Sequence, residues 1–423
     1  MKQLSPIALV CIVALAGCQG GGYEDAGPVV LQPDENAQET VQTALLTAQP
    51  GDVIELTEGT FEFTGSLSLD VADVTIRGQG VDKTILDFAA QQAGAGAEGI
   101  TVTSDGFVIE DLTVLNTKGD GIKVEGTDRA TFRTIKVDWS GPPKTENGAY
   151  GIYPVQVSNV LIEDSQVRGS SDAGIYVGQS RNIIVRGNRV WQNVAGIEIE
   201  NSFGADVYDN LATNNTGGIL VFSLPEMPVK NGRDTRVFRN TIENNNHANF
   251  GKAGSIIAAL PTGTGLQVMA NENVEVFDND LRDNQTYNIA VLSYLVTERE
   301  YDDAEYDPYV EGVYIHDNRF SGGGDSPQGR GERLSKQFGG TFPDIVYDGF
   351  VDPAKMVDGE LPPHLGIYVE NNGDADFVNL DLGAMLAGKE PKPYNDLAAH
   401  AGSLPEPPAE IVLAPAGATG AGL

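Results

Sequence analysis

The stretch from residue 174 to residue 221 decides the fold, because one four-residue pattern returns in it at a step of 22 residues: Gly174-Ile175-Tyr176-Val177, Gly196-Ile197-Glu198-Ile199 and Gly218-Ile219-Leu220-Val221. Looser copies occur on both sides, as Gly121-Ile122-Lys123-Val124, Gly151-Ile152-Tyr153, Gly265-Leu266-Gln267-Val268, Asn288-Ile289-Ala290-Val291 and Gly366-Ile367-Tyr368-Val369. Apolar and polar residues alternate within each copy, which is the period of a half-buried β-strand. The sequence therefore predicts short strands in a tandem repeat.

A second pattern lies between these copies and places an Asn after a short apolar run, at Asn188, Asn210, Asn240, Asn279 and Asn318. A unit of about 22 residues cannot bury its apolar side alone, but parallel units stacked about 4.8 Å apart bury one continuous column. We therefore expect Ile175, Ile197 and Ile219 to lie above one another inside. The Asn residues should form a ladder in one turn, with amides that bond to each other and to the backbone.

These two patterns resemble the right-handed parallel β-helix of the pectin-lyase-like superfamily, and in particular bacterial β-helix repeat lipoproteins. A leucine-rich horseshoe or a propeller would require signatures that this sequence lacks. The resemblance covers about residues 36–380 and implies an all-β solenoid domain over residues 35–382, with long loop insertions. Residues 35–90 look like the N-terminal cap and first rungs, including a capping helix with Val41, Leu45 and Leu46 at helical spacing. An extended Ala-, Gly- and Pro-rich tail is expected over residues 383–423.

The N-terminal residues are predicted to be a targeting signal. Lys2 precedes an apolar run that is too short to span a bilayer, which fits a signal peptide over residues 1–17. The sequence Leu15-Ala16-Gly17-Cys18 resembles the bacterial lipobox, and this resemblance implies that Cys18 becomes the lipid-carrying first residue of the mature chain. Gln19 follows it, which points to the outer membrane. Residues 18–34 are Gly- and acid-rich and are expected to be a flexible tether. The sequence thus predicts an outer-membrane-anchored lipoprotein of the cell envelope.

Composition excludes several classes of function. The chain has 60 acidic and 27 basic residues, a net charge of −33, so a nucleic-acid partner is not expected. Two Cys and four His cannot build a disulfide framework or a typical zinc, copper or haem site. The same negative charge would repel a polyanionic substrate unless Ca²⁺ bridged the two.

The outer face of the repeated strand is the best candidate for a binding groove. Because Ile and Val of each copy face inward, the residue between them faces out. This outward strip reads Lys123, Tyr153, Tyr176, Glu198, Leu220, Gln267, Ala290 and Tyr368. We expect long turns near Tyr150 and Pro225 to wall the groove, with Tyr150, Glu198 and Gln267 as substrate-binding residues. A tyrosine ring offers a flat surface on which a sugar can lie.

The resemblance also implies a reaction type, which is proton abstraction from a sugar acid. Superfamily members that act on polyuronates remove the C5 proton of the sugar, which requires a base, an acid and a positive charge or Ca²⁺. Tyr153 or Tyr176 would then carry the proton, and Lys123 would stabilise the charge that develops.

Three acidic residues, Asp172, Glu198 and Glu200, are the candidate ligands of a Ca²⁺ ion, which prefers clustered carboxylate oxygens. Taken alone, however, Tyr and charged residues are also what an exposed β-ladder tolerates. Asp120 and Asp172 lie just before a Gly-Ile pair, a position typical of turn residues.

Three functions therefore stay open, since a fold does not fix a function. The first is a lyase or epimerase that contacts and processes an extracellular polysaccharide. The second is a non-catalytic surface or structural protein that binds a glycan or a protein. The third is a periplasmic accessory β-helix protein, although the scarcity of His, Met and Cys argues against direct metal handling. The sequence contains no Asp-Pro-His-Asp motif and no paired-Asp polygalacturonase signature, and it does not fix the glycan or the oligomeric state.

Overall fold

The computed structural model describes residues 27–92, 94 and 96–413. The predicted signal peptide, Cys18 and residues 19–26 of the predicted tether lie outside this range. No helix in the part of the chain that the structure describes combines the length and the apolar character needed to cross a membrane.

Most complete turns of the chain contain three strands. In one turn these are Ala173–Gly178, Arg181–Arg186 and Arg189–Trp191. Each strand pairs in parallel with its equivalent one turn before and one turn later. The structure is therefore a parallel β-helix, and the described strands group into one 11-stranded and one 20-stranded sheet.

The 11-stranded sheet collects the strands of the repeated Gly-Ile pattern: β4 (Leu67–Leu69), β7 (Ile100–Val102), β9 (Ile122–Glu125), β11 (Tyr150–Val155), β14 (Ala173–Gly178), β17 (Ala195–Glu200), β20 (Gly217–Phe222), β23 (Thr264–Met269), β26 (Tyr287–Leu292), β29 (Ile345–Tyr347) and β31 (Phe377–Asn379).

The 20-stranded sheet contains the remaining strands: β1 (Val29–Leu31), β2 (Val53–Leu56), β3 (Gly59–Glu62), β5 (Thr75–Arg77), β6 (Thr84–Asp87), β8 (Val108–Leu115), β10 (Asp128–Asp138), β12 (Ser158–Glu163), β13 (Gln166–Arg168), β15 (Arg181–Arg186), β16 (Arg189–Trp191), β18 (Phe203–Tyr208), β19 (Leu211–Thr213), β21 (Arg233–Phe238), β22 (Thr241–Glu243), β24 (Glu272–Phe277), β25 (Asp280–Arg282), β27 (Glu311–His316), β28 (Arg319–Ser321) and β30 (Ile367–Glu370).

Helices are short and peripheral. The α-helices are α1 (Ala37–Thr47) and α2 (Arg330–Ser335), and 3₁₀ turns occur at Ile257–Ala259, Tyr294–Thr297, Lys336–Phe338, Pro353–Lys355, Pro363–Leu365, Leu382–Ala387 and Leu397–His400.

The register confirms the predicted inner column. Ile175 pairs with Ile197, and Ile197 pairs with Ile219, in neighbouring strands of the 11-stranded sheet. All three side chains are buried in a core cluster that runs through the column. The period read from the sequence thus places like residues above one another.

The glycine of the Gly-Ile pattern is required by close stacking of the turns. A Cβ at Gly196 would lie 2.5 Å from the carbonyl oxygen of Gly218, and a Cβ at Gly218 would lie 2.6 Å from that of Gly265. These distances are shorter than real Cβ atoms tolerate. The role of this glycine is therefore backbone approach between turns, in addition to the turn-forming role expected for Gly in such a repeat.

Two Asn ladders stabilise the turns. In the predicted ladder, the amide of Asn188 donates to Asn210 Oδ1 at 3.0 Å, and that of Asn210 donates to Asn240 Oδ1 at 3.0 Å. The ladder continues through Asn279 and Asn318 to Asn372. A second ladder of Asn193, Asn215, Asn245 and Asn284 lies in the turn before the 11-stranded sheet. Sequence analysis missed it, although Asn193 and Asn215 have the same 22-residue step.

Both ends of the column are covered. Helix α1 buries Val41 and Leu45 against the first turns, and the Gln42 side chain bonds to the backbone N–H of Ser68 at 2.8 Å. Leu46, expected on the same face, is instead 59% exposed. At the other end, the His400 ring lies against Phe377 with ring centres 4.8 Å apart. Within the predicted tail, His400 and Leu404 are buried, so this part of the tail packs on the solenoid.

Candidate functional site

The outer face of the 11-stranded sheet is open at one end and covered at the other. Three insertions lie over the covered part: residues 223–232, 244–263 and 293–310. Their apolar side chains form one cluster with outward-facing residues of the sheet, which are Tyr176, Leu220, Phe222 and Met269 from the strands and Leu224, Ile257, Tyr294 and Tyr306 from the insertions. We call these three insertions the roof.

Because of this roof, the groove is shorter than the sequence predicted. Glu198, Leu220 and Gln267 follow one another along the outward ladder as expected, but they are only 2%, 2% and 8% exposed. The groove surface is therefore limited to the turns before them. Tyr368 was also assigned to this ladder, and this assignment is wrong. It pairs with Tyr314 in the 20-stranded sheet, and Val346 takes the place after Ala290.

Three tyrosines meet where the open part ends. The ring centres of Tyr150 and Tyr153 are 4.4 Å apart, and those of Tyr150 and Tyr176 are 4.7 Å apart. Ile152 pairs with Ile175 in adjacent strands, so the next residues, Tyr153 and Tyr176, are neighbours in the ladder, and their ring centres are 5.0 Å apart. Tyr150 and Tyr153 are partly exposed, whereas Tyr176 is 4% exposed. We call these residues, with the carboxyl groups around them, the tyrosine site.

Strand register and one glycine produce this cluster. Tyr176 extends along its own strand over Gly178, where a Cβ would lie 2.3 Å from the Tyr176 hydroxyl. Gly178 pairs with Glu200 of the next turn. The missing side chain at residue 178 therefore lets the Tyr176 hydroxyl approach the Glu200 carboxyl group, to which it acts as a hydrogen-bond donor.

Four carboxyl groups surround the tyrosines. Burial raises the pKa of Asp120 to about 6 and the pKa of Glu200 to about 7. Burial and the charge of Glu200 raise the pKa of Asp172 to about 7, against the hydrogen bond from Tyr150. Burial and the neighbouring carboxylates raise the pKa of Glu198 well above its usual range. Asp120, Asp172 and Glu200 therefore exchange protons near neutral pH, as general acids and bases do.

The tyrosine hydroxyls stay protonated at neutral pH. Burial, with the charges of Asp120 and Glu200, raises the pKa of Tyr153 to about 12. Burial also raises the pKa values of Tyr150 and Tyr176 above the usual range. Each hydroxyl therefore carries its proton at neutral pH and is unsuited to act as a base.

Lys123 supplies positive charge beside these rings. Its ammonium lies 5.9 Å from the centre of the Tyr153 ring and 3.1 Å from a carboxylate oxygen of Glu125. Lys123 pairs with Tyr153 in the ladder, so it stands one turn nearer the open end. The structure thus brings together the three predicted catalytic residues, Lys123, Tyr153 and Tyr176, whose catalytic roles stay predictions.

Asp172, Glu198 and Glu200 are the predicted calcium ligands. The Oε1 atoms of Glu198 and Glu200 are buried and have no hydrogen-bond partner among the described residues. However, residues 27–92, 94 and 96–413 contain no group of three or more His, Cys, Asp or Glu side chains arranged to hold a metal ion. The role of Asp172, Glu198 and Glu200 as calcium ligands therefore stays a prediction, and none of the proposed catalytic steps depends on calcium.

Asp120, which its sequence context predicts to be a turn residue, belongs to the site. One of its carboxylate oxygens accepts a hydrogen bond from the backbone N–H of Tyr150 at 3.1 Å, and its charge acts on Tyr153. Part of the signal was present in the sequence, because Asp120 directly precedes Gly121-Ile122 and Asp172 stands two residues before Gly174 in another copy of the repeat.

With this geometry, the molecule is a right-handed parallel β-helix, as the sequence predicted. A family model described as the right-handed β-helix region matches residues 98–231. No curated protein matches the sequence.

Several solved structures are similar. The A-module of the mannuronan C-5 epimerase AlgE4 of Azotobacter vinelandii has a TM-score of 0.50 and 16% identity, covering 82% of this chain and 92% of that one. An alginate lyase from Paenibacillus sp. has a TM-score of 0.45 and 17% identity, covering 70% and 94%. An exopolygalacturonase from Thermotoga maritima has a TM-score of 0.47 and 11% identity, covering 70% and 79%. At 16% identity, the likeness to the A-module of the epimerase AlgE4 shows the fold alone.

Proposed function

We propose that this protein processes an extracellular polysaccharide at the tyrosine site, by transferring the proton next to a sugar carboxyl group. The reaction would be C5 epimerisation or β-elimination. The observation that carries the proposal is the meeting of partly exposed tyrosines with carboxyl groups whose pKa values lie near neutral, Asp120 and Asp172. The similar fold of a protein named as a mannuronan C-5 epimerase makes mannuronan the first polymer to test.

Each proposed step uses residues of this site. Asp172, with a pKa of about 7, is ionised above neutral pH and would take the C5 proton. The electron pair of the C–H bond then moves into the sugar carboxyl group, where Lys123 would stabilise the added negative charge. Tyr153, protonated below pH about 12, would give a proton to the opposite face of C5 in epimerisation. In elimination the electron pair would return to form the C4=C5 double bond as the C4–O4 bond breaks, and Tyr153 would give its proton to the leaving O4.

The test uses the mature protein with mannuronan. NMR spectroscopy of the polymer reports epimerisation, and ultraviolet absorbance reports the unsaturated product of elimination. Asp172→Asn and Tyr153→Phe should each lower the rate by about 100-fold or more, as loss of a general acid or base does. Tyr314→Phe, in the other sheet, is the matched control and should leave the rate unchanged. Full activity in both site variants would contradict the proposal.

Glycan binding without chemistry is the second candidate, and one contact favours it. The Lys123 ammonium already forms an ion pair with Glu125 at 3.1 Å. Its positive charge is therefore partly neutralised in the absence of a bound uronate. A neutral glycan would then suit this acidic site better than a polyanion. Retardation of the protein by neutral glycans in affinity gels, together with no conversion of mannuronan, would support this second candidate.

We also propose that the protein is a lipoprotein of the outer membrane, anchored through Cys18. The support is the lipobox-like sequence Leu15-Ala16-Gly17-Cys18. Mass spectrometry of protein from bacterial membranes should find acyl chains on an N-terminal Cys18. Cys18→Ala should release the protein from the membrane fraction, and unchanged membrane association of this variant would contradict the anchor.

A further inference from the structure

The outward ladder of the 11-stranded sheet changes from open to closed within one turn. It runs through Ser68, Thr101, Lys123, Tyr153, Tyr176, Glu198, Leu220, Gln267 and Ala290. The first four side chains are partly exposed. Every later member is at most 8% exposed. The change falls between Tyr153 and Tyr176, which is the position of the tyrosine site.

The open part is a polar strip of limited length, defined by Ser68, Thr101, Lys123 and Tyr153. Three steps between adjacent strands separate its ends, which at about 4.8 Å a step gives about 14 Å. This length accommodates a short run of sugar rings. Helix α1 covers the end of the column at Ser68 but bonds to backbone atoms of that strand, so the outer side chain of Ser68 stays accessible.

The closed end is held by contacts between segments that are distant in sequence. The Thr145 hydroxyl donates to the Phe250 carbonyl oxygen at 2.8 Å, which joins the turn before β11 to the roof. The Arg299 guanidinium donates to the Ser255 carbonyl oxygen at 3.5 Å, which joins two roof insertions across the sheet. A polymer that lies along the strip therefore meets packed side chains directly beyond Tyr153.

We infer that the tyrosine site takes the end of a polysaccharide chain and does not take an internal segment. This inference rests on the proposed polysaccharide function and adds the part of the polymer that is bound. A chain that lies on the strip ends at the roof, so only its terminal sugar reaches Tyr150, Tyr153 and Asp172. The strip then binds the few units behind the terminal sugar.

The first experiment uses mannuronan oligosaccharides about six units long, labelled with a bulky fluorophore at one end or the other. Calorimetric titration should show that a label at one end weakens binding by at least about tenfold (about 1.4 kcal/mol). The label at the other end should have little effect. Equal binding of both labelled oligosaccharides and the unlabelled one, or no binding of any, would overturn the inference.

Product analysis separates this inference from the proposed function. If mannuronan is converted only at terminal units, both hold. Conversion of internal units from the start of the reaction would overturn the chain-end inference and keep the proposed chemistry. End-dependent binding without conversion would keep the chain-end inference and contradict the chemistry.

A matched pair of variants tests whether the oligosaccharide binds along the strip. Thr101→Trp places a large side chain on the open strip and should lower the affinity for the unlabelled oligosaccharide by at least about tenfold. Thr60→Trp makes the same change at an exposed position of β3 in the other sheet and should leave affinity unchanged. Equal affinities of the two variants, both with the unfolding midpoint of the unchanged protein, would overturn the inference.

Discussion

Replacing Asn210 by Ala should test the first Asn ladder directly. The Asn210 side chain is 2% exposed and makes four hydrogen bonds. Its Oδ1 accepts from the backbone N–H of Asn188 at 2.9 Å and from the Asn188 amide at 3.0 Å. Its Nδ2 donates to the Val185 carbonyl oxygen at 2.9 Å and to Asn240 Oδ1 at 3.0 Å. The substitution removes all four bonds and leaves buried partners unsatisfied.

The expected loss follows from this count. A buried hydrogen bond contributes about 1 kcal/mol net, so four such bonds correspond to about 4 kcal/mol. Urea unfolding followed by circular dichroism measures the loss as a change in midpoint at constant slope. The slope must be checked, because a solenoid can unfold in stages.

Asn36→Ala is the matched control for this experiment. Asn36 is exposed, precedes α1 and makes no capping bond with its side chain. Its replacement should change the free energy of unfolding by less than about 0.5 kcal/mol. A loss below about 1 kcal/mol for Asn210→Ala would refute the argument that the ladder stabilises the fold.

Three further predictions concern a charge, a glycine and a metal ion. Burial lowers the pKa of His316, but hydrogen bonds to Glu275 and Asp317 outweigh it and raise the pKa above 6.5. The resulting stabilisation is complete below pH about 6.5 and is lost as pH rises through the higher folded-state pKa. His316→Gln should therefore destabilise more at pH about 5.5 than at pH about 8.5, and equal losses in urea unfolding would contradict the shift. Gly178→Ala should displace the Tyr176 ring, cost about 1–3 kcal/mol in thermal unfolding and lower activity, while Gly27→Ala, with open space around it, should do neither. For the sequence-based calcium prediction, added Ca²⁺ should raise the melting temperature or the rate on mannuronan, and no response up to millimolar concentrations would rule it out.

The repeat determined the inner half of this molecule from sequence. Each turn meets the same neighbours above and below, so a residue's place in the 22-residue period fixes whether it faces the core. This reasoning placed Ile175, Ile197 and Ile219 correctly and predicted the first Asn ladder. It failed for Tyr368, because the long insertion before it hides the change of sheet.

The sequence predicted those residues of the candidate site that share a position in the repeat, and it did not predict the effect of the insertions. Tyr153, Tyr176 and Lys123 are neighbours because they share one repeat position, and a shared position is visible in sequence. The burial of Glu198 is not visible, because the insertions that cover it have no period. Asp120 was missed because a turn residue and an acid beside a tyrosine look alike until the neighbouring turn is placed.

The amino-acid sequence by itself thus determined the stacked solenoid, its inner column and the strip that faces outward, since these follow from one short pattern repeated at a constant step. Only the tertiary structure decided where that strip ends and which carboxyl groups have raised pKa values. The physical reason is that burial of those groups depends on contacts such as Thr145 to Phe250, which join residues 105 positions apart, and local sequence patterns do not encode contacts at that separation.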